Sequence, residues 1–355
     1  MESLTTLKAT LAILLNDAVA QKIFPGCVVG VVTKKNRIII PVGRYTYDKT
    51  SQKIKKNSIY DIASITKTVP TSLLALKLIE ERKLSLNQKV RTYLPEFKGK
   101  WKDEVTIFHL LTHTVDFGLT LSRLKKKKAE EIIHTILEGD LVRRPGTTYA
   151  YTNSTSIILG FLIEKATGKK LDYLARIKLF NPLEMRDTSF HPSPLSKERI
   201  VPTEFDSWRN RIIQGEVHDE SAWVISIHQV VGSAGIFSTV PDLLHVLKMI
   251  LANGVFRRKR ILASSTITQM STNQLQNLHQ FSGLGWEMNK SFMGEKHSHI
   301  SIGKTGFTGC TIFVDVEKKV GIVILSNHHF PKRSEKKDKY VLRAKIIDTV
   351  LATIV

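Results

Sequence analysis

The chain has 355 residues, 42% hydrophobic and 24% charged, with 20 Gly and 11 Pro. That is the composition of a globular protein, and it excludes a disordered, collagenous or coiled-coil chain. No apolar run approaches the ~18 residues of a membrane span, and the length suits one large domain or two intimate lobes with a cleft between them.

Fifty-three Lys and Arg against 32 Asp and Glu leave a net charge of +21. The basic runs at 49–56, 125–128, 257–260 and 332–339 lie far apart in the chain. They lack the interleaved aromatics of a base-stacking surface, so they read as solvated loops and helix ends with no dedicated nucleic-acid partner. Two cysteines, Cys27 and Cys310, make no disulfide framework in a chain of this length and are expected to be free.

In chain order, Leu4, Leu7, Leu11, Leu14 and Ala18 recur at helical spacing and predict an amphipathic opening helix. Ala9–Leu15 followed by Ala18-Val19-Ala20 imitates a secretion signal. Glu2, Lys8 and the interrupting Asn16-Asp17 argue against one. The location read from this is cytoplasmic, or periplasmic or secreted if a leader has been removed.

Cys27–Thr33 and Arg37–Val42 are rich in β-branched residues and flank a polar turn, which predicts a hairpin. Pro41 cannot donate to a ladder and is expected to end or bulge the second strand. A helical pattern then runs from Ser64 to Arg82, with a kink at Pro70. Helical periods dominate as far as residue 290, including Ala129–Leu137 and Ser154–Lys165. Strands return at Thr311–Val316 and Val320–Leu325, and an amphipathic helix covers Lys336–Val355.

The two β-rich ends hold too few strands for separate sheets. Joined, they give an α/β fold: one antiparallel sheet flanked by the N- and C-terminal helices, with a large helical lobe inserted. The α/β lobe would comprise roughly 1–62 and 291–355, and the helical lobe roughly 63–290.

Ser64-Ile65-Thr66-Lys67 opens the first long helical pattern. Residues i and i+3 share a helix face, so the hydroxyl and the amine can meet, and a serine needs such a base to become a nucleophile. The same S-x-x-K spacing recurs at Ser122–Lys125, Ser301–Lys304 and Ser334–Lys337, in lysine-rich or pre-strand settings that suggest coincidence. Tyr151-Thr152-Asn153 follows a Pro145-Gly146 turn; its tyrosine can relay protons, while its asparagine can orient a carbonyl or simply cap a helix. Lys304-Thr305-Gly306 borders a late strand, where small residues admit a ligand and a lysine can meet a carboxylate. A strand follows where a phosphate-binding loop would lead into a helix. His109 and His113 lack the intervening Glu of a zinc protease, so no metal or other cofactor is expected.

Taken together, S-x-x-K, Y-x-N 84 residues after Lys67, and K-T-G before a late strand resemble the serine penicillin-recognising enzymes. The resemblance is to the class C β-lactamase-related branch, with its D-alanyl-D-alanine carboxypeptidases and esterases, and it covers essentially the whole chain. Phe24-Pro25-Gly26, Leu110–Thr114, Arg144-Pro145-Gly146, Gly215–Glu220 and Gly235–Thr239 also look like segments of that branch. The loop after Thr114, Val-Asp-Phe-Gly, departs from it.

The resemblance implies a β-lactamase/transpeptidase-like fold and acyl-enzyme chemistry. It casts Ser64 as nucleophile, Lys67 as general base and Tyr151 as proton relay. Asn153 would contact the substrate amide, Lys304 with Thr305 and Gly306 would line its carboxylate side, and the N–H groups of Ser64 and Phe307 would form the oxyanion hole. The expected partner is a small-molecule or peptide substrate carrying a carboxylate, of β-lactam or D-alanyl-peptide type. Small esters are the alternative, and a catalytically idle anion-binding or scaffold protein is the second.

Overall fold

The computed structural model describes residues 2–333 and 338–354. Its centre is a five-stranded antiparallel sheet built from both ends of the chain. The strands are β1 (Gly26–Thr33), β2 (Arg37–Gly43), β3 (Ser301–Thr305), β4 (Thr311–Asp315) and β5 (Val320–Ser326), in the spatial order β2-β1-β5-β4-β3. C-terminal β5 thus lies between N-terminal β1, with Val29 opposite Ile324, and β4, with Phe313 opposite Ile322. Neither β1 nor β5 alternates in burial, because both faces of the sheet are covered.

On one face lie α1 (Glu2–Ala20) and the C-terminal helix. Leu7, Leu11, Leu15 and Ala18 of α1 pack with Ile346, Ile347 and Val350 over Val29, Val31, Phe313 and Ile322. The apolar stripe follows the expected helical spacing, but Leu15 rather than Leu14 points inward. On the other face, Val240, Leu244 and Leu247 of the helix Val240–Leu251 press onto the sheet. Gly30 makes that approach possible: a Cβ there would stand 2.3 Å from a Val240 methyl. The second core cluster continues from this helix into the helical middle of the chain.

Three local expectations change. Strand β2 passes straight through Pro41, opposite Val28; it is an edge strand, where a missing donor costs little. The segment from Ser64 to Arg82 is not one helix. A 3₁₀ turn, Ala63–Lys67, is followed by extended backbone at Val69 and a π-type turn, Thr68–Ser72, before α2 (Leu73–Glu80) begins. The break falls at Val69, one residue ahead of the expected kink, because the residue before a proline is driven out of helical space. Residues 301–305, which include Lys304-Thr305, form the other edge strand of the sheet. The final helix is described over Asp338–Ile354, while the Ser334–Lys337 tetrad lies outside the described residues. No helix among the described residues is long and apolar enough to cross a membrane.

Candidate active site

Ser64 sits where three elements converge: the turn Ala63–Lys67, the loop after β3, and the extended segment before α3 (Asn153–Thr167). Between Ser58 and Leu76 every residue is buried except Ser64. The turn is held from below by Asp61. Its buried carboxylate accepts from Ala63 N–H at 2.8 Å and from His218 N–H at 2.8 Å, while its carbonyl accepts from Thr308 Oγ1 at 2.9 Å. A helix-dipole contribution at Ser64 is not available, because the turn is a single 3₁₀ turn that breaks before α2. Positioning comes instead from these hydrogen bonds.

Lys67 Nζ donates to Ser64 Oγ at 2.8 Å and to the Ser233 carbonyl at 2.9 Å. Its burial lowers the ammonium's affinity for its proton, and the nearby Lys304 charge lowers it further against the opposing pull of Tyr151. A buried lysine held on a serine hydroxyl, with reduced basicity, can accept that hydroxyl's proton.

Tyr151 stands over Lys67, whose Nζ lies 5.4 Å from the ring centroid. Tyr151 is 44% exposed, and the desolvation that would raise its phenol is outweighed by the Lys304 and Lys67 charges, which bring it below the usual tyrosine range. The backbone that carries Tyr151 is tied to a neighbouring segment, since Ala150 N–H donates to the His113 carbonyl at 2.8 Å and Gly146 N–H to the Thr114 carbonyl at 2.9 Å. The His113 ring packs 5.0 Å from the Tyr151 ring and shares a 2.9 Å hydrogen bond with Thr155 Oγ1. Burial, with Lys304, Lys67 and Lys290 adding to it, keeps His113 well below the ordinary histidine range and therefore neutral.

Lys304 is only 2% exposed and is not a bare cation in the cleft: Glu287 Oε1 meets its Nζ at 2.7 Å. The same Nζ lies 4.0 Å from the Tyr151 ring centroid. Burial disfavours its charge, but Glu287 first and Tyr151 second outweigh that and keep it ionised. Glu287 is held against β3 by reciprocal backbone hydrogen bonds with Gly303, both 3.0 Å.

Gly306 explains the small residue after Lys304-Thr305. A Cβ there would fall 2.3 Å from the Ile62 carbonyl and 3.3 Å from Ala63 Cβ, so glycine lets this loop close onto the Ser64 turn. Among the described residues, neither the Ser64 N–H nor the Phe307 N–H donates to another group. The Phe307 ring stacks 4.6 Å from the buried His218 ring, and behind it Glu204 bonds His218 Nε2 at 2.5 Å and Arg333 at 2.7 Å.

Asn153 does not cap α3. Thr152 does, accepting from Ser154 N–H, while Asn153 Nδ2 donates to Asp219 Oδ2 at 3.0 Å. Thr305 is partly exposed at the end of the edge strand. The structure thus gathers Ser64, Lys67, Tyr151 and Lys304 with Gly306 and Phe307, and anchors Asn153 to Asp219. The other two described tetrads do not form such pairs: Lys125 bridges to Glu220 at 3.7 Å, and Ser301 Oγ lies 3.4 Å from Ser298 Oγ. Among the described residues, no group of three or more His, Cys, Asp or Glu could hold a metal. Sequence reasoning missed Asp61, Glu287 and the Ser233 carbonyl. Glu287, 17 residues before Lys304 in a loop, carries no motif signal.

Comparison with known proteins agrees with this geometry. The chain is 29% identical to the N-acetylmuramyl-L-alanine amidase of Bacillus subtilis (strain 168), over 86% of this chain and 77% of that one. It is 30% identical to a Salmonella agona (strain SL483) protein with the provisional name D-alanyl-D-alanine carboxypeptidase, over 79% and 72%. Similar solved structures include EstCE1, a hydrolase with promiscuous acyltransferase activity (TM-score 0.77, 19% identity, 99% of both chains). A penicillin-binding protein homologue from Caulobacter crescentus superposes with a TM-score of 0.78 at 15% identity, over 98% and 97%. These structures share the predicted β-lactamase/transpeptidase-like fold. With the beta-lactamase family model matching residues 12–345, the chain belongs to the beta-lactamase family of serine hydrolases.

Proposed function

We propose that this hydrolase forms an acyl-enzyme on Ser64 and that its leading substrates are D-alanyl-peptide-like amides or β-lactams. The observation that carries the chemistry is the 2.8 Å contact between Lys67 Nζ and the one accessible residue of a buried run, Ser64. Lys67 as the free amine takes the Ser64 proton as Oγ bonds to the carbonyl carbon. The carbonyl electrons move to an oxyanion facing the Ser64 and Phe307 N–H groups, where each well-placed donor is worth ~2.7–4 kcal/mol. On collapse, the C–N bond breaks and the leaving nitrogen receives a proton through Tyr151, which Lys67 replenishes. Water then attacks the ester on Ser64 by the same proton route and restores the serine.

The names of the two curated relatives support the amide class. A second reading, hydrolysis of small uncharged esters, is favoured by one observation: Glu287 already matches the Lys304 charge. Intact-mass analysis after a penicillin, beside burst kinetics on a chromogenic cephalosporin and a short-chain nitrophenyl ester, tests the proposal. It expects an adduct on Ser64 and faster acylation by the lactam. Acylation by the ester alone would put the esterase reading first, and no adduct from either would refute the acyl-enzyme.

A further inference from the structure

Three lysines lie on or beside the Tyr149–Tyr151 segment, and they are not equivalent. Lys67 is on Ser64. Lys304 is buried, paired with Glu287 and set against the Tyr151 ring. Lys290 is partly exposed and lies 4.7 Å from the centroid of Tyr149, two residues before Tyr151 in an extended segment. Among the described residues no carboxylate comes within ion-pair distance of Lys290. It is close enough to Lys304 and Glu287 for both to act on its charge.

Moving Lys304 to an incoming carboxylate would break a 2.7 Å ion pair and leave Glu287, whose side chain is 15% exposed, beside a second anion. Such a rearrangement is costly in a partly desolvated site. A carboxylate arriving at Lys290 breaks no ion pair among the described residues. We propose that Glu287 is a specificity-determining residue that reserves Lys304 for positioning Tyr151, leaving Lys290, on the Tyr149 ring, as the cation that meets an anionic substrate group. The proposal rests on the acyl-enzyme reading above and assigns its anion subsite.

The groups that face Tyr151 are Ser64 and Lys67 from the 3₁₀ turn, Lys304 from β3, His113, Tyr149 and Glu287. Of these, Glu287 opposes deprotonation of Tyr151 and the two lysines promote it. Removing the Glu287 charge takes away that opposition, so Tyr151 should lose its proton at lower pH, with Tyr151 then the main group that favours the Lys304 charge.

The test uses the full chain and two fluorophosphonates that differ only in a terminal carboxylate or its methyl ester, read as second-order labelling rates of Ser64. Lys290→Met should lower the acid-to-ester rate ratio at least tenfold. Glu287→Gln should raise that ratio at least tenfold, by freeing Lys304, and move the acid limb of the ester's labelling-rate profile to lower pH. A ratio lowered by Lys304→Met but unmoved by Lys290→Met would overturn the assignment. So would equal losses for both probes, without a pH shift, in Glu287→Gln. Failure of both probes to label the unsubstituted protein would instead sink the acyl-enzyme reading on which the proposal stands.

Discussion

Gly306→Ala isolates the contact between the loop after β3 and the Ser64 turn. The added Cβ would lie 2.3 Å from the Ile62 carbonyl, a backbone atom with little freedom to move. The conflict must be relieved by shifting residues 306–307 away from Ser64, at the ~1–3 kcal/mol typical of overpacking. Because the Phe307 N–H is one of the two proposed oxyanion donors, the same shift would weaken a contact of a kind worth 10²–10³-fold in rate. The expected result is a loss of about 10²-fold in the acylation rate with a modest fall in melting temperature. Gly321→Ala is the control: its Cβ would stand 2.9 Å from Leu247 Cβ in the core, away from the site, so it should lower stability and spare the acylation rate. Stopped-flow acylation and thermal melts on both variants decide the matter. A fully active Gly306→Ala protein of ordinary stability would refute the argument that this glycine sets the oxyanion geometry.

Ser64→Ala should abolish fluorophosphonate labelling, whereas Ser122→Ala and Ser301→Ala should retain it; a phosphonylated Ser64→Ala protein would refute the nucleophile assignment. Both cysteines are fully buried and unpaired, and burial drives their thiols up, Cys310 to about 11. A thiol reagent should therefore titrate two groups after denaturation without reductant and almost none in the folded protein. For Glu204, burial raises the carboxyl, but the His218 and Arg333 hydrogen bonds outweigh it and bring it from 4.5 down to about 2. A depressed carboxylate stabilises the fold above its unfolded value and loses that contribution as pH falls from about 4.5 toward 2. Glu204→Gln should accordingly cost about 2–3 kcal/mol at pH 7 and progressively less in acid, measured by urea unfolding; a pH-independent difference would contradict this.

The elements with strong local patterns were legible in the chain. The leucine spacing of α1, the hairpin around Lys34-Lys35-Asn36, and the apolar runs of β4 and β5 all lie near their expected positions. That the two ends of the chain share one sheet followed from having too few strands at either end. That the last strand lies between those of Cys27 and Cys310 was implied by the family resemblance, and β5 does lie between β1 and β4, two strand spacings of about 9–10 Å, beyond the ~7 Å Cα limit for a disulfide. The tetrad Ser64–Lys67 shares its spacing with three others and was singled out by the helical pattern it opens; its hydroxyl and amine meet all the same because a turn brings i and i+3 together whether it is α or 3₁₀. That indifference is also why the spacing failed to reveal the break at Val69.

Sequence alone determined the residue types that can carry acyl transfer and their order along the chain. Tertiary structure decided what each of them touches. Lys304 reads in isolation as a free cation beside two glycines; only the bridge between Gly303 and Glu287 shows that its charge is matched. Asn153 reads as a cap, yet Thr152 takes that role and Asp219, 66 residues away, takes the amide. Asp61 carries no motif of its own and becomes the anchor of the nucleophile turn because His218 N–H and the Thr308 hydroxyl reach it from distant parts of the chain. Local periodicity encodes which face of an element is buried. Partners separated by tens or hundreds of residues are set by how the sheet and the helices close, and electrostatics acts through those partners.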